Sequence, residues 1–254
     1  MSPILLSLIA LAVILAGALF GAWLRNTLPD HHLADDTKDY VRLGTGLIAT
    51  ISALVLGLLI ASANSSYDTE SSQVRRLTAN VVLLDKLLDQ YGPESREARD
   101  HLRAAIGPLV ERIWREDSLD SRKGTPFRAT AAAEDAFAKI QELSPKTEAQ
   151  RALRDRATQV MIDTAQTRLL LFEHADNSIP MPFLAVLVFW LAVIFMSFSL
   201  FSRLTPINIA ATFVFATSAS AAIFLILELS QPFVGLMRIS SAPLRNALAQ
   251  LGAS

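Results

Sequence analysis

The chain has 254 residues, 52% of them hydrophobic, with 23 Lys and Arg against 24 Asp and Glu, and its mean hydropathy of +0.37 lies above the usual soluble range. A net charge of −1 excludes a nucleic-acid binder driven by bulk charge, so no nucleic-acid partner is expected. The absence of Cys excludes disulfides, thiolate catalysis and Cys-ligated zinc or iron–sulfur sites, and no cofactor is expected.

Ile4 to Leu24 is a run of 21 residues without a charge, about 31 Å of helix, which matches a hydrocarbon core of roughly 30 Å. Met1-Ser2-Pro3 carries no basic residue, and Phe20 and Trp23 occupy the place of a small-residue cleavage site, so this span is expected to be retained rather than cleaved. A polar loop over 25–42 leads to a second uncharged run, Leu43 to Ala63. A third runs from Ile179 to Ser202 and a fourth from Ile207 to Leu227, with Arg203-Leu204-Thr205-Pro206 turning them into a hairpin.

Residues 64–178 hold 17 of the 23 basic and 19 of the 24 acidic side chains, so this segment faces water. Val74, Leu77, Val81, Leu84, Leu88 and Tyr91 follow the alternating 3 and 4 spacing of a heptad seam. Gly92-Pro93 stops that helix. Leu102, Ile106, Leu109 and Ile113 predict a second helix, and Ala133, Phe137 and Ile140 a shorter third. Ser144-Pro145 reads as the N-cap and first position of a fourth, running through Leu153, Val160, Thr164 and Leu171 towards the membrane. Asp117 to Phe127, with Gly124 and Pro126, reads as a loop.

The predicted fold class is therefore all-α: a polytopic membrane protein with four transmembrane helices and an extramembrane helical bundle between the second and third. The segments are 1–63, 64–178, the hairpin 179–230 and an amphipathic tail 231–254, which reads as an interfacial or docking helix. The first and last helices of the bundle are expected to continue spans two and three. Basic residues near the short loops and near the domain ends are almost balanced, and the excess in the long segment favours a cytoplasmic domain at the inner membrane.

The polar loop carries His31, His32, Asp35, Asp36 and Asp39. Asp35 or Asp36 capping the second span, with Asp39 in its first turn, explains the acids. His31 with Asp35, or His32 with Asp36, would meet at a metal only on a continuous helix, which Pro29 opposes, so no metal is expected. Proton sensing by the paired histidines is the remaining reading.

In the second span Thr45, Ala49, Ala53, Gly57, Ala61 and Ser65 recur every four residues, a stripe of small side chains that permits close helix approach. Either it packs against other helices of the chain, or copies of it surround an axis and offer Thr50, Ser52 and Ser62 to a water-filled path. Asn208, Thr212, Ala216 and Ser220 make a similar stripe on the fourth span, which reads as interhelical hydrogen bonding, and Glu228 stands where that span reaches the interface. No phosphate-cradling glycine loop, G-x-S-x-G or H-E-x-x-H occurs, so no enzyme is expected.

Leu28-Pro29-Asp30-His31-His32-Leu33, Asp36-Thr37-Lys38-Asp39 and Arg42-Leu43-Gly44-Thr45-Gly46-Leu47-Ile48-Ala49-Thr50 resemble the bacterial bestrophin-like membrane family, as do Leu56 to Ala63 and Gln231-Pro232-Phe233 to Arg245. The resemblance spans nearly the whole chain. It implies a homo-oligomer in the lipid bilayer that passes small inorganic ions, anions among them, with four spans divided two and two by helices and the second span lining a narrow neck. The rival is a non-conducting, membrane-anchored helical sensor or scaffold whose heptad seam binds a partner.

Overall fold

The computed structural model describes residues 2–29, 35–114, 131–174, 181–202, 205–233 and 235–251. Among these residues every regular element is helical. The elements are α1 (Pro3–Thr27), α2 (Asp35–Tyr91), a 3₁₀ turn (Pro93–Ser95), α3 (Arg96–Trp114), α4 (Ala131–Glu142), α5 (Glu148–His174), α6 (Met181–Phe201), α7 (Pro206–Leu229) and α8 (Ala242–Leu251). Four of them, α1, α2, α6 and α7, are long and apolar enough to cross a membrane, which makes this a multi-pass membrane protein. The chain divides into two compact units, residues 1–66 with 178–230, and residues 67–177 with 231–254.

In the first unit, α1 packs along α6 and α7. Ser2 caps α1, its Oγ accepting from Leu5 N at 3.3 Å, with Pro3 in the first turn. Thr205 caps α7 in the same way, accepting from Asn208 N at 3.3 Å ahead of Pro206. Ile14, Ala18, Phe195 and Ala216 form a small buried cluster. Its closeness is set by two glycines on α1. A Cβ on Gly17 would stand 2.7 Å from the backbone oxygen of Ala192, and one on Gly21 would overlap the backbone oxygen of Met196 outright. Gly17-x-x-x-Gly21 is therefore a point of backbone-to-backbone approach between α1 and α6.

The second unit is a helical bundle with a continuous apolar core. Val74, Leu77, Val81, Leu84 and Leu88 are each 2% exposed or less, and Tyr91 4%, so the predicted seam is the centre of the core. Leu102, Ile106 and Ile113 of α3, Ile140 of α4, and Ala157, Val160 and Leu171 of α5 complete it. Gly92 ends α2 at φ +119°, a conformation that favours glycine, and Ser95 Oγ donates to the carbonyls of Leu88 (2.5 Å) and Gly92 (2.8 Å).

One expectation changes. The fourth domain helix starts at Glu148 rather than at Ser144-Pro145, because Thr147 is the cap: its Oγ1 accepts from Gln150 N at 3.1 Å, while Gln150 Oε1 accepts from Lys146 N at 2.9 Å. The tail is part of the domain. Phe233, Ile239 and Leu244 enter the bundle core, and Trp114 Nε1 donates to Ile239 O at 2.8 Å. Glu228 is buried, 3% exposed, in the last turn of α7. The predicted loop at 117–127 and the junction between α5 and α6 lie outside the described residues. At the other junction α2 is one helix of 57 residues, Asp35–Tyr91, that includes both the second span and the first domain helix.

Candidate functional site

An α-helix advances about 100° per residue, so positions four apart drift by about 40° per step. The small-residue stripe of α2 accordingly winds around the helix instead of keeping to one face. Thr45 is buried, Ala49 is half-buried, and Ala53, Gly57, Ala61 and Ser65 are exposed on the protomer. Thr50 and Ser62 are exposed as well, with Thr50 Oγ1 donating to Gly46 O at 2.9 Å within the helix. Thr50 is thus hydrogen-bonded in its exposed position and presents mainly a methyl group.

The buried line of α2 follows sevens. Thr45, Ser52 and Leu59 are buried seven apart, and Ala63 and Glu70 fall in sevens with Leu77, Leu84 and Tyr91; the first line would reach Gln73 rather than Val74, so the buried line shifts along the helix instead of keeping one heptad register. In the membrane unit its core positions carry hydroxyls. Thr45 Oγ1 donates to Ser197 Oγ of α6 at 3.0 Å, and Ser52 Oγ is buried with no hydrogen-bond partner among the described residues.

The α7 stripe goes inward. Asn208 and Thr212 are half-buried, and Ala216 and Ser220 are buried. Ser220 Oγ donates to Ser7 O of α1 at 2.8 Å, Asn208 Nδ2 to Ser202 Oγ at 2.7 Å, and Thr212 Oγ1 back to Asn208 O at 2.8 Å. Ser220 and Asn208 tie α7 to its neighbours, while Thr212 bonds within α7.

His31 and His32 lie outside the described residues, as do the side chains of Asp35 and Asp36; the backbone of Asp35 opens α2, and Asp39 is exposed one turn later. Among the described residues no group of three His, Cys, Asp or Glu stands close enough to hold a metal.

The outward face of α2 is the remaining candidate. Leu43, Leu47, Leu54 and Leu58 are each more than 60% exposed there, and a Cβ on Gly44, Gly46 or Gly57 would meet nothing within 4 Å. The α1 glycines are filled by the chain itself, whereas those of α2 are open.

The family model of the Bestrophin-like domain matches residues 12–244. The chain belongs to the bestrophin-like family. Crystal structures of a bacterial bestrophin homologue from Klebsiella pneumoniae are similar to this bestrophin-like chain. One point variant has a TM-score of 0.69 at 15% identity, covering 98% of this chain and 97% of that one. A second has a TM-score of 0.68 at 15% identity, covering 98% and 97%. Another structure of the homologue has a TM-score of 0.66 at 15% identity, covering 98% and 96%. At such identity the likeness is one of fold. No curated protein matches the bestrophin-like chain.

The Thr45–Ser197 hydrogen bond links the bestrophin-like chain's second span to its third. Thr45→Val, which keeps the shape and removes the donor, is expected to lower stability by about 0.6 kcal/mol, and by at most ~1.7, the range for hydrogen bonds between membrane helices. Thr45→Ser should restore the parent value. Thermal unfolding of the detergent-solubilised chain, with the double variant Thr45→Val/Ser197→Ala closing the cycle, checks this.

Proposed function

We propose that this chain is a subunit of an oligomeric ion channel of the bacterial inner membrane, passing small inorganic ions along a path lined by α2, with its helical domain in the cytoplasm. One observation carries the reading: α2 keeps its small residues Ala53, Gly57 and Ala61 exposed and its glycines open, while α1 uses its glycines inside the protomer. Small residues left bare on a membrane helix are suited to close approach by another copy of that helix. Family membership supports a channel over an enzyme. The scaffold reading loses its motive, because the seam from Val74 to Tyr91 is occupied by the domain's own core.

Reconstitution into liposomes tests the proposal. Vesicles loaded with chloride or with sodium and potassium salts should leak ions when the oligomeric protein is inserted. Gly57→Leu should reduce the flux at least tenfold by placing a bulky side chain where copies approach. Ion-tight vesicles containing inserted, oligomeric protein would overturn the reading.

A further inference from the structure

The membrane unit contains a cleft of about 790 Å³ between α1, α2, α6 and α7, within the 300–1,000 Å³ range of small-molecule sites. It lies at one end of these four helices, and its wall runs from charged to apolar. On α2 the lining residues run from Lys38 and Arg42 through Thr45 to Ala49. Lys38 and Ala49 are eleven residues apart, about 16 Å of helix rise, or about half the ~30 Å hydrocarbon thickness. Ala22 of α1, Phe198 of α6 and Phe213 of α7 provide apolar wall, and among the described residues no Asp or Glu lines the cleft.

Among the described residues the charged end carries two cations and no anion. Neither Lys38 nor Arg42 forms an ion pair among the described residues. One turn beyond Ala22 on the same face of α1, Arg25 has a buried guanidinium nitrogen, Nη1, with no hydrogen-bond partner there. Asn208 and Ser202 add an amide and a hydroxyl beside the cations. A cavity of one-leaflet depth, cationic at the interface and apolar below, has the polarity of an anionic amphiphile.

We propose that the cleft binds one anionic phospholipid of the surrounding bilayer, its headgroup phosphate held by Lys38 and Arg42 and an acyl chain lying along Gly46, Ala49 and the α6 and α7 phenylalanines. Charge complementarity identifies the occupant: a zwitterionic lipid brings its own cation to a mouth that already holds two, and a free anion leaves the apolar wall uncovered. The inference rests on the membrane placement of the four spans and not on ion conduction, so its test is read without flux.

The test is native mass spectrometry of the detergent-solubilised full chain given equimolar phosphatidylglycerol and phosphatidylcholine. The parent should retain phosphatidylglycerol selectively. Lys38→Gln/Arg42→Gln should cut that selectivity by about 30-fold, the effect of losing two juxtamembrane cations, while Lys38→Arg/Arg42→Lys keeps it. Gly46→Phe, which fills the apolar part where a Cβ meets nothing within 4 Å, should abolish retention of both lipids with unchanged circular dichroism. Equal retention of the two lipids by the parent, or selectivity that survives Lys38→Gln/Arg42→Gln, would overturn the proposal. So would full displacement of phosphatidylglycerol by millimolar inorganic phosphate, which marks a simple anion site. Loss of oligomer with unchanged lipid retention in Gly46→Phe would assign the cleft to a second copy and overturn it equally.

Discussion

Replacing Arg99 by Met is expected to destabilise the helical domain by about 3 to 5 kcal/mol, the cost of stranding a buried charge. Arg99 on α3 grips α2 through both oxygens of Asp85, with Nε to Oδ1 at 2.8 Å and Nη2 to Oδ2 at 3.1 Å, and reaches Asp89 with Nη1 at 2.6 Å. The Arg99 and Asp85 side chains are only 10% and 12% exposed, whereas Asp89 is 61% exposed. Hydrogen bonding to Asp85 raises the guanidinium pKa above its ordinary value; burial opposes this, and the charges of Asp85 and Asp89 add to it. The guanidinium therefore stays charged at every pH at which the protein is handled. In Arg99→Met the apolar side chain fills part of the volume but leaves Asp85 desolvated and unpaired, while Asp89 turns to water. The melting temperature should fall by on the order of 10 °C. Adding Asp85→Leu should recover most of the loss, because a buried ion pair replaced by apolar groups of similar size is close to neutral. If Arg99→Met melts with the parent protein, the ion pair contributes nothing to holding α3 on α2.

The seam from Val74 to Tyr91 was legible because water faces that segment: polar residues fill most positions off the seam, and the heptad stands out. The buried positions Thr45 and Ser52 are hidden in the span, where residues facing lipid and residues facing protein are both apolar or small and the contrast vanishes. The start of α5 was misplaced for a local reason. Ser144-Pro145 has the composition of a helix start, but Thr147 Oγ1 accepts from Gln150 N and Gln150 Oε1 from Lys146 N, and these bonds cap the helix. The tail's amphipathic spacing showed a helix with one apolar face. It did not show that the face belongs to the domain core, since spacing alone does not name a partner.

For the candidate site, residue types were legible and their directions were not. A four-residue repeat looks like one face when written out, yet it turns about 200° between Thr45 and Ser65, which is why Thr45 bonds to α6 while Gly57 stands open. Glu228 was read as interfacial from its place near the end of a span; its burial in the last turn of α7 follows from packing that the sequence does not contain. The close approach of α1 to α6 is signalled by Gly17-x-x-x-Gly21, a recognised pattern for tight helix crossing.

Gly21→Leu and Gly57→Leu are expected to fail in opposite ways, although both replace a small residue in a membrane span by the same large one. At Gly21 the obstacle is the backbone of α6 at Met196, which has no side-chain rotamer to give. Only separation of α1 from α6 makes room, and the cluster of Ile14, Ala18, Phe195 and Ala216 opens with it. Overpacking of a core costs roughly 1 to 3 kcal/mol where side chains yield; against rigid backbone the loss should be at least ~3 kcal/mol, read as aggregated protein and a lower melting temperature in detergent. At Gly57 the added side chain meets open space, so the protomer should melt within about 0.5 kcal/mol of the parent, as surface changes do. Its fault should appear only in lipid, as a smaller oligomeric fraction by cross-linking and as lost flux. If Gly57→Leu lowers protomer stability as much as Gly21→Leu, the α2 glycine is part of the fold. If it leaves both stability and assembly intact, the open face of α2 is no meeting surface and the ion path lies elsewhere.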